Sequence, residues 1–146
     1  MTIWIVDTDH VSLLLQGNKA VRYRAEQVFP NLAITVITVQ EIFNGWVVKI
    51  NSSSESKDLV RLYTNLWTTL AYFKEVRILN FDAEADTCYQ RLLRENKQLN
   101  KKRLQKDLRI AAITLSVNGV MVTRNKRDFS LVPGLVIEDW TEEISV

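Results

Sequence analysis

The chain has 146 residues, 47% hydrophobic and 25% charged, about one domain in length and the balance of an ordinary globular protein. No run approaches the ~20 apolar residues that cross a bilayer and no basic-then-apolar leader opens it, so no membrane association is expected and the cytoplasm is the expected address. A single cysteine, Cys88, excludes an intrachain disulfide and a cysteine-based metal site, and a net charge of +2 is too small to establish a polyanionic partner.

Thr2 to Val6 is a near-continuous apolar run, the pattern of a strand buried on both faces. It stops on Asp7, and a second carboxylate, Asp9, follows two residues later. Val11 to Gln16 predicts a short helix, with Gly17 placed to end it. Val21, Ala25, Val28 and Phe29 are helically spaced between Ala20 and Phe29, and Pro30-Asn31 breaks that helix. Leu32 to Ile37 is a second β-branched run, and a helix starts near Thr38 with Ile42, Phe43, Trp46 and Ile50 on one side. Asn51 to Ser54 is linker-like but too short to separate domains. A longer helix spans about Glu55 to Phe73, with Leu59, Leu62, Tyr63, Leu66, Trp67 and Leu70 at i, i+3, i+4 spacing. Val76 to Leu79 predicts a short strand, and Asp82 an N-cap for a helix carrying Ala85, Cys88, Tyr89, Leu92 and Leu93. Asp107 opens a helix that ends at Asn118-Gly119, and Val120–Thr123 and Leu135–Glu138 are the last strands. Strands alternating with helices imply right-handed crossovers and a mostly parallel sheet, hence a single α/β domain over residues 1–146.

In open parallel sheets, ligands bind beyond the carboxyl ends of the strands, where strand order reverses. Asp7 follows the first strand directly, and Glu41 stands in the first turn of the helix after the second. Asn125 and Asp128 follow Val120–Thr123, and Asp107 begins the helix that feeds that strand. Each has a local alternative. Glu41 can close a capping box with Thr38. Asp107 can be an N-cap or a helix-dipole partner, Asp9 a cap for the helix after it, and Asp128 the start of a turn. Asp82 reads as a cap and Asp86 as a solvated face. Converging acids, however, raise one another's pKa and destabilise the fold unless a cation neutralises them. Oxygen ligands without Cys or His suit Mg²⁺ or Mn²⁺ rather than zinc. His10, the only histidine, is expected in solvent or in a local hydrogen bond rather than as a ligand or base. Metal-activated water is then the obvious chemistry.

Lys97, Lys101, Lys102, Arg103 and Lys106 fall within ten residues, and Arg124, Lys126 and Arg127 form a second basic cluster. Such groups hold phosphate backbones, although solvated loops carry the same composition.

"IVDTDHVSLLL", "ITVQEIFNG" and "DLRIAAITLSVNGVMVTRNKRDFSLVPGLVIEDW" resemble the PIN-domain family, specifically VapC-type toxin ribonucleases, in order along nearly the whole chain. The last stretch is the most specific: an Asp opening an I-A-A helix, a Gly, an apolar strand into T-R-N, then D-F and V-P-G-L. The resemblance implies a three-layer α/β/α sandwich with a mostly parallel sheet of four or five strands. It also implies Mg²⁺- or Mn²⁺-dependent endonucleolytic cleavage of RNA. The family's acids fall on Asp7, Glu41 and Asp107, the implied metal ligands, and its fourth position on Asn125, with Asp128 three residues on. The commoner first motif reads D-T-N, so Asp9 departs from it. Thr8 matches, and its hydroxyl is expected to orient Asp7 or support the metal site. Arg124, Lys126, Arg127, Lys102 and Arg103 are the candidate RNA contacts. A homodimer and a cognate VapB-like antitoxin are further implications. The helix side with Tyr63, Trp67 and Tyr72 is a candidate dimer surface, with plain core as the alternative.

Two rival readings remain. Asp7-Thr8-Asp9-His10-Val11 also fits the D-x-D-x-[TV] start of haloacid-dehalogenase-like phosphatases, but the later acidic pair those enzymes need is not found near Val120–Asp128. A PIN-like scaffold that binds RNA or a partner without cutting is the other, suggested by Asn125.

Overall fold

Trp4–Val6 (β1) occupies the centre of a five-stranded, all-parallel sheet in the computed structural model, which describes residues 1–142. The chain steps outward to Leu32–Thr35 (β2) and Arg77–Leu79 (β3) on one side of β1. It then returns to Val120–Val122 (β4) and Val136–Glu138 (β5) on the other. The order β3-β2-β1-β4-β5 reverses at β1, so the crevice between β1 and β4 is the switch point. Register is fixed there by Trp4 opposite Val120 and Val6 opposite Val122, which brings the exits of the two strands side by side.

Seven helices cover the sheet among the described residues: Thr8–Leu15 (α1), Lys19–Val28 (α2), Val36–Ser52 (α3), Ser56–Glu75 (α4), Ala83–Glu95 (α5), Gln105–Ser116 (α6) and Lys126–Phe129 (α7). Alternation along β1 and β4 divides the interior in two. Ile5 and Met121 point into a core built with α5 and α6 (Tyr89, Leu92, Leu108, Ile113). Val6 and Val122 point into the other, with Val11, Val21, Ile42 and Trp140. This is the expected α/β/α sandwich, and Cys88 is half-buried against the first core. No helix among the described residues is long and apolar enough to cross a membrane.

Several boundaries differ from those the sequence suggests, each for a local reason. The helix after β1 starts at Thr8 rather than Val11, because Asp7, not Asp9, is its N-cap and accepts from the Thr8 N–H. Helix α3 starts at Val36 because Thr35 caps it, its hydroxyl accepting from Thr38 N at 3.1 Å. Thr38 is therefore helical, the Thr38–Glu41 capping box does not form, and Glu41 moves into the second turn. Helix α6 starts at Gln105 without a side-chain cap, so Asp107 sits in the first turn and is no N-cap. The basic stretch before it forms two 3-10 turns, Lys97–Leu99 and Lys102–Leu104. Asp82 does cap α5, accepting from Ala85 N at 2.9 Å.

Asn118, at φ 53°, turns the chain out of α6, and Gly119 then passes against β1. A Cβ on Gly119 would stand 2.3 Å from Ile5 Cδ1 and 3.0 Å from the Ile3 carbonyl, so the position accepts no side chain without movement. Tyr63 and Trp67 on α4 are exposed, Trp67 by 72%, which sets aside the plain-core alternative for both; Tyr72 packs partly into the second core.

Candidate active site

Asp7 ends β1 with its carboxylate held from both sides. Oδ1 accepts from Thr8 N and Oδ2 from Thr123 Oγ1, each at 2.8 Å. Only 6% of the residue is exposed. Burial first, and then the charge of Asp9, push its pKa up to about 7 against the pull of those two hydrogen bonds.

Asp107 faces the same edge from the first turn of α6. Burial, then Glu41, Asp128 and Asp9, push its pKa up to about 6, with Arg103 opposing. Glu41 reaches in from α3 and accepts from Thr8 Oγ1 at 3.0 Å. The Thr8 hydroxyl thus serves Glu41, with Thr38 Oγ1 3.2 Å away, while Asp7 receives only the Thr8 backbone N–H. The hydroxyl that orients Asp7 belongs to Thr123. Its signal in the sequence was the T-R-N following the fourth strand, but its role depends on the β1–β4 register.

Asn125 caps α7 and donates from Nδ2 to Asp107 Oδ2 and to Asp128 Oδ2, both at 3.2 Å. Asp128 is a helical residue rather than the start of a turn, and it pairs with Arg103 Nη1 at 3.0 Å. That hydrogen bond holds its pKa below the usual carboxylate value. Lys126 pairs with Glu142. Arg124, Arg127 and Lys102 are exposed.

His10 is wholly buried, which excludes the solvent alternative, and its local hydrogen bond is to Asp9 Oδ1 at 2.7 Å. Asp9 Oδ2 accepts from Arg124 N at 3.3 Å.

Asp7, Asp9, Glu41, Asp107, Asn125 and Asp128 are thus linked by hydrogen bonds or by mutual charge along the carboxyl edge of the sheet. Among the described residues, no three Asp, Glu, His or Cys side chains are drawn close enough to form a ready-made cage. The donor set is nonetheless all oxygen, and Asp7 and Asp107 keep raised pKa values, with Arg103 the cation acting against Asp107's shift. That arrangement fits a hard divalent ion, which would relieve the repulsion. A cavity of about 410 Å³ opens beside Thr8 and Glu41 between α1, α3 and α4, lined by Ser12, Gln16, Asn65 and Trp46, with Lys49 Nζ 4.8 Å from the Trp46 ring centre.

A five-stranded, all-parallel sheet between layers of helices is the α/β fold that the PIN-like resemblance implies. No family model matches the chain. It is 28% identical over 143 residues to Ribonuclease VapC1 of Haemophilus influenzae (strain R2866), covering 96% of this chain and 99% of the relative. Its fold is similar to a chain in the crystal structure of DNA-bound VapBC from Salmonella typhimurium, with a TM-score of 0.79, 23% identity and coverage of 96% of this chain and 99% of that one. It is likewise similar to a chain in VapBC-1 from nontypeable Haemophilus influenzae, with a TM-score of 0.73, 24% identity and coverage of 97% and 100%.

Proposed function

We propose that this protein is a metal-dependent endoribonuclease, the toxin of a VapBC-type pair, hydrolysing RNA phosphodiesters at the acidic edge of its sheet. The observation that carries the reading is that Asp7, buried, and Asp107, half-buried, come from distant parts of the chain to one sheet edge with their pKa values pushed up to about 7 and about 6. A cation beside such a pair would hold both carboxylates fully ionised at neutral pH, and oxygen ligands select Mg²⁺ or Mn²⁺. Asp7, Glu41 and Asp107 would hold the ion, with Asn125 or Asp128 completing the shell. Held by these residues, a divalent ion would supply Lewis-acid polarisation of a phosphoryl oxygen and activation of water.

The chain's own contribution is to set the ligands in place beforehand. Thr123 and the Thr8 N–H fix Asp7, and the Thr8 hydroxyl fixes Glu41. Lys102, Arg124 and Arg127 would take flanking phosphates, a sequence-independent contribution. Arg103 and Lys126 join them only by releasing Asp128 and Glu142. Unpaired bases beside the scissile bond would find room in the cavity next to Glu41. The names of the relatives support the ribonuclease activity, and the assemblies in which the similar folds occur support a VapB-like antitoxin as partner. The exposed Tyr63–Trp67 side of α4 is the candidate homodimer surface.

An RNA-cleavage assay on the pure protein with Mg²⁺, Mn²⁺ or EDTA, alongside Asp7→Asn and Asp107→Asn, tests the reading. Metal-dependent cleavage lost in both variants is expected. Equal cleavage by the variants would overturn the assignment. A second reading, a scaffold that binds RNA without cutting, rests on Asn125, whose amide turns donors rather than an oxygen towards Asp107. Retained RNA at every divalent-ion concentration, without cleavage, would favour it. The phosphatase reading gains nothing from the relatives named above, a ribonuclease and chains of VapBC assemblies.

A further inference from the structure

We infer that Asp9 is a further acid of the metal site and that His10 is the residue that positions it, an inference that rests on the metal-nuclease reading above. His10 is 0% exposed, and no step proposed so far uses it. Its Nε2 faces the backbone N–H of Trp140 at 3.1 Å and accepts from it. Asp139 Oδ1 lies 3.4 Å from the same nitrogen, but that oxygen already accepts from Thr141 N at 2.8 Å and Thr141 Oγ1 at 2.6 Å. A proton on Nε2 would leave the buried Trp140 N–H without an acceptor, so the ring carries its proton on Nδ1. Nδ1 therefore donates to Asp9 Oδ1 at 2.7 Å. The ring is held in place by the Trp140 indole, edge-on at 6.3 Å.

The other oxygen of Asp9 accepts from Arg124 N, so the carboxylate spans from the start of α1 to the exit of β4. On that side of the pocket the next residue, Asn125, points amide donors at Asp107. Asp9, with 26% of its side chain exposed, keeps lone pairs on both oxygens beyond those two hydrogen bonds that a cation there could take, and its charge acts on both Asp7 and Asp107. A histidine that fixes a carboxylate from behind is the arrangement by which outer groups tune a metal site.

The test is Mn²⁺ binding to the metal-free protein by titration calorimetry, with thermal melting recorded for each variant. Asp7→Asn is the control, and Asp9→Asn should weaken binding by roughly 10- to 100-fold. The two histidine variants separate the ring's two bonds. In His10→Asn the amide nitrogen stands where Nδ1 stood and still donates to Asp9, so Mn²⁺ affinity should stay near wild type even if the protein melts earlier. In His10→Gln the carbonyl can reach the Trp140 N–H but nothing serves Asp9, so affinity should fall as in Asp9→Asn. Undiminished binding by Asp7→Asn would overturn the metal-site reading itself. Weak binding by Asp7→Asn together with wild-type binding by Asp9→Asn or His10→Gln would overturn this inference alone. Equal losses in both histidine variants would also overturn it, since they would report packing rather than orientation. Asp9→Asn alters a partly exposed side chain and keeps the test decisive should a histidine variant fail to fold.

Discussion

Thr123 Oγ1 donates to Asp7 Oδ2 across 2.8 Å, joining residues 116 positions apart in the chain. The bond exists because β1 and β4 lie in parallel register and leave the sheet together. Thr123→Val keeps the shape but strands one oxygen of a buried carboxylate, which should destabilise the protein by about 1–3 kcal/mol. The bond also holds Asp7's pKa down, so its loss should move the cleavage profile to higher pH. Chemical denaturation and a pH–rate series check both, with Thr123→Ser as the variant that retains the donor. Unchanged stability in Thr123→Val would remove Thr123 from the site's architecture.

The raised acids set the pH dependence of the metal-free protein. Asp7 and Asp107 keep their protons to about 7 and about 6 when folded, against 3.8 as free carboxyls. Between those values the folded chain binds more protons than the unfolded one. The stability they contribute is complete below about pH 4 and is lost as pH rises through about 6 and 7. Asp128 and Asp139, whose values are lowered, act in the opposite sense at more acidic pH. In EDTA the protein should melt lower near pH 8 than near pH 5, and Mg²⁺ should recover the difference near pH 8. A melting temperature that climbs across this window in EDTA would contradict the account.

Removing one of these charges should separate stability from activity. Asp107→Asn leaves an acceptor for Asn125 Nδ2 but deletes a charge that burial and three neighbouring acids disfavour. Near pH 8 in EDTA this variant should melt above wild type while cleavage falls on the order of a hundredfold or more. A variant less stable than wild type under those conditions would show that the carboxylate is already compensated.

On α4, Val60, Tyr63 and Trp67 are 68%, 55% and 72% exposed, more large apolar surface than one helix face ordinarily leaves in water. If this patch mediates pairing, Trp67→Glu should sediment as a monomer. A dimer unaffected by the substitution would place the contact elsewhere.

Gly119→Ala should destabilise the chain by roughly 1–3 kcal/mol, because the new methyl meets fully buried Ile5 and the Ile3 carbonyl. Equilibrium unfolding is the measurement, and a neutral result would mean that β1 can shift away from the turn.

The sheet could be read from the sequence because strands buried on both faces appear as uninterrupted apolar runs, as in Thr2–Val6 and Val120–Thr123. The start of α3 could not, since the β-branched run continues through Ile37 and hides the point at which the Thr35 hydroxyl captures the Thr38 N–H. Asp7, Glu41 and Asp107 stood out because each follows a strand or opens a helix that returns to one. The partners of these acids were hidden. Thr123 depends on strand register, and His10 is buried by Trp140, 130 residues away, which no local pattern around His10 signals.

The candidate site is divided unequally along the chain, and a ribosome makes the amino end first. Asp7, Thr8 and Glu41 emerge early, whereas Asp107, Thr123 and Asn125 belong to the last third of the polypeptide. β1 takes its central place only when β4 lies beside it, so a growing chain carries half of the acidic edge and none of its completion. On the proposed reading, the growing chain would lack a complete metal site until its last third is made. An inhibitor of the proposed kind would have a complete site to bind only once the final strands are in place.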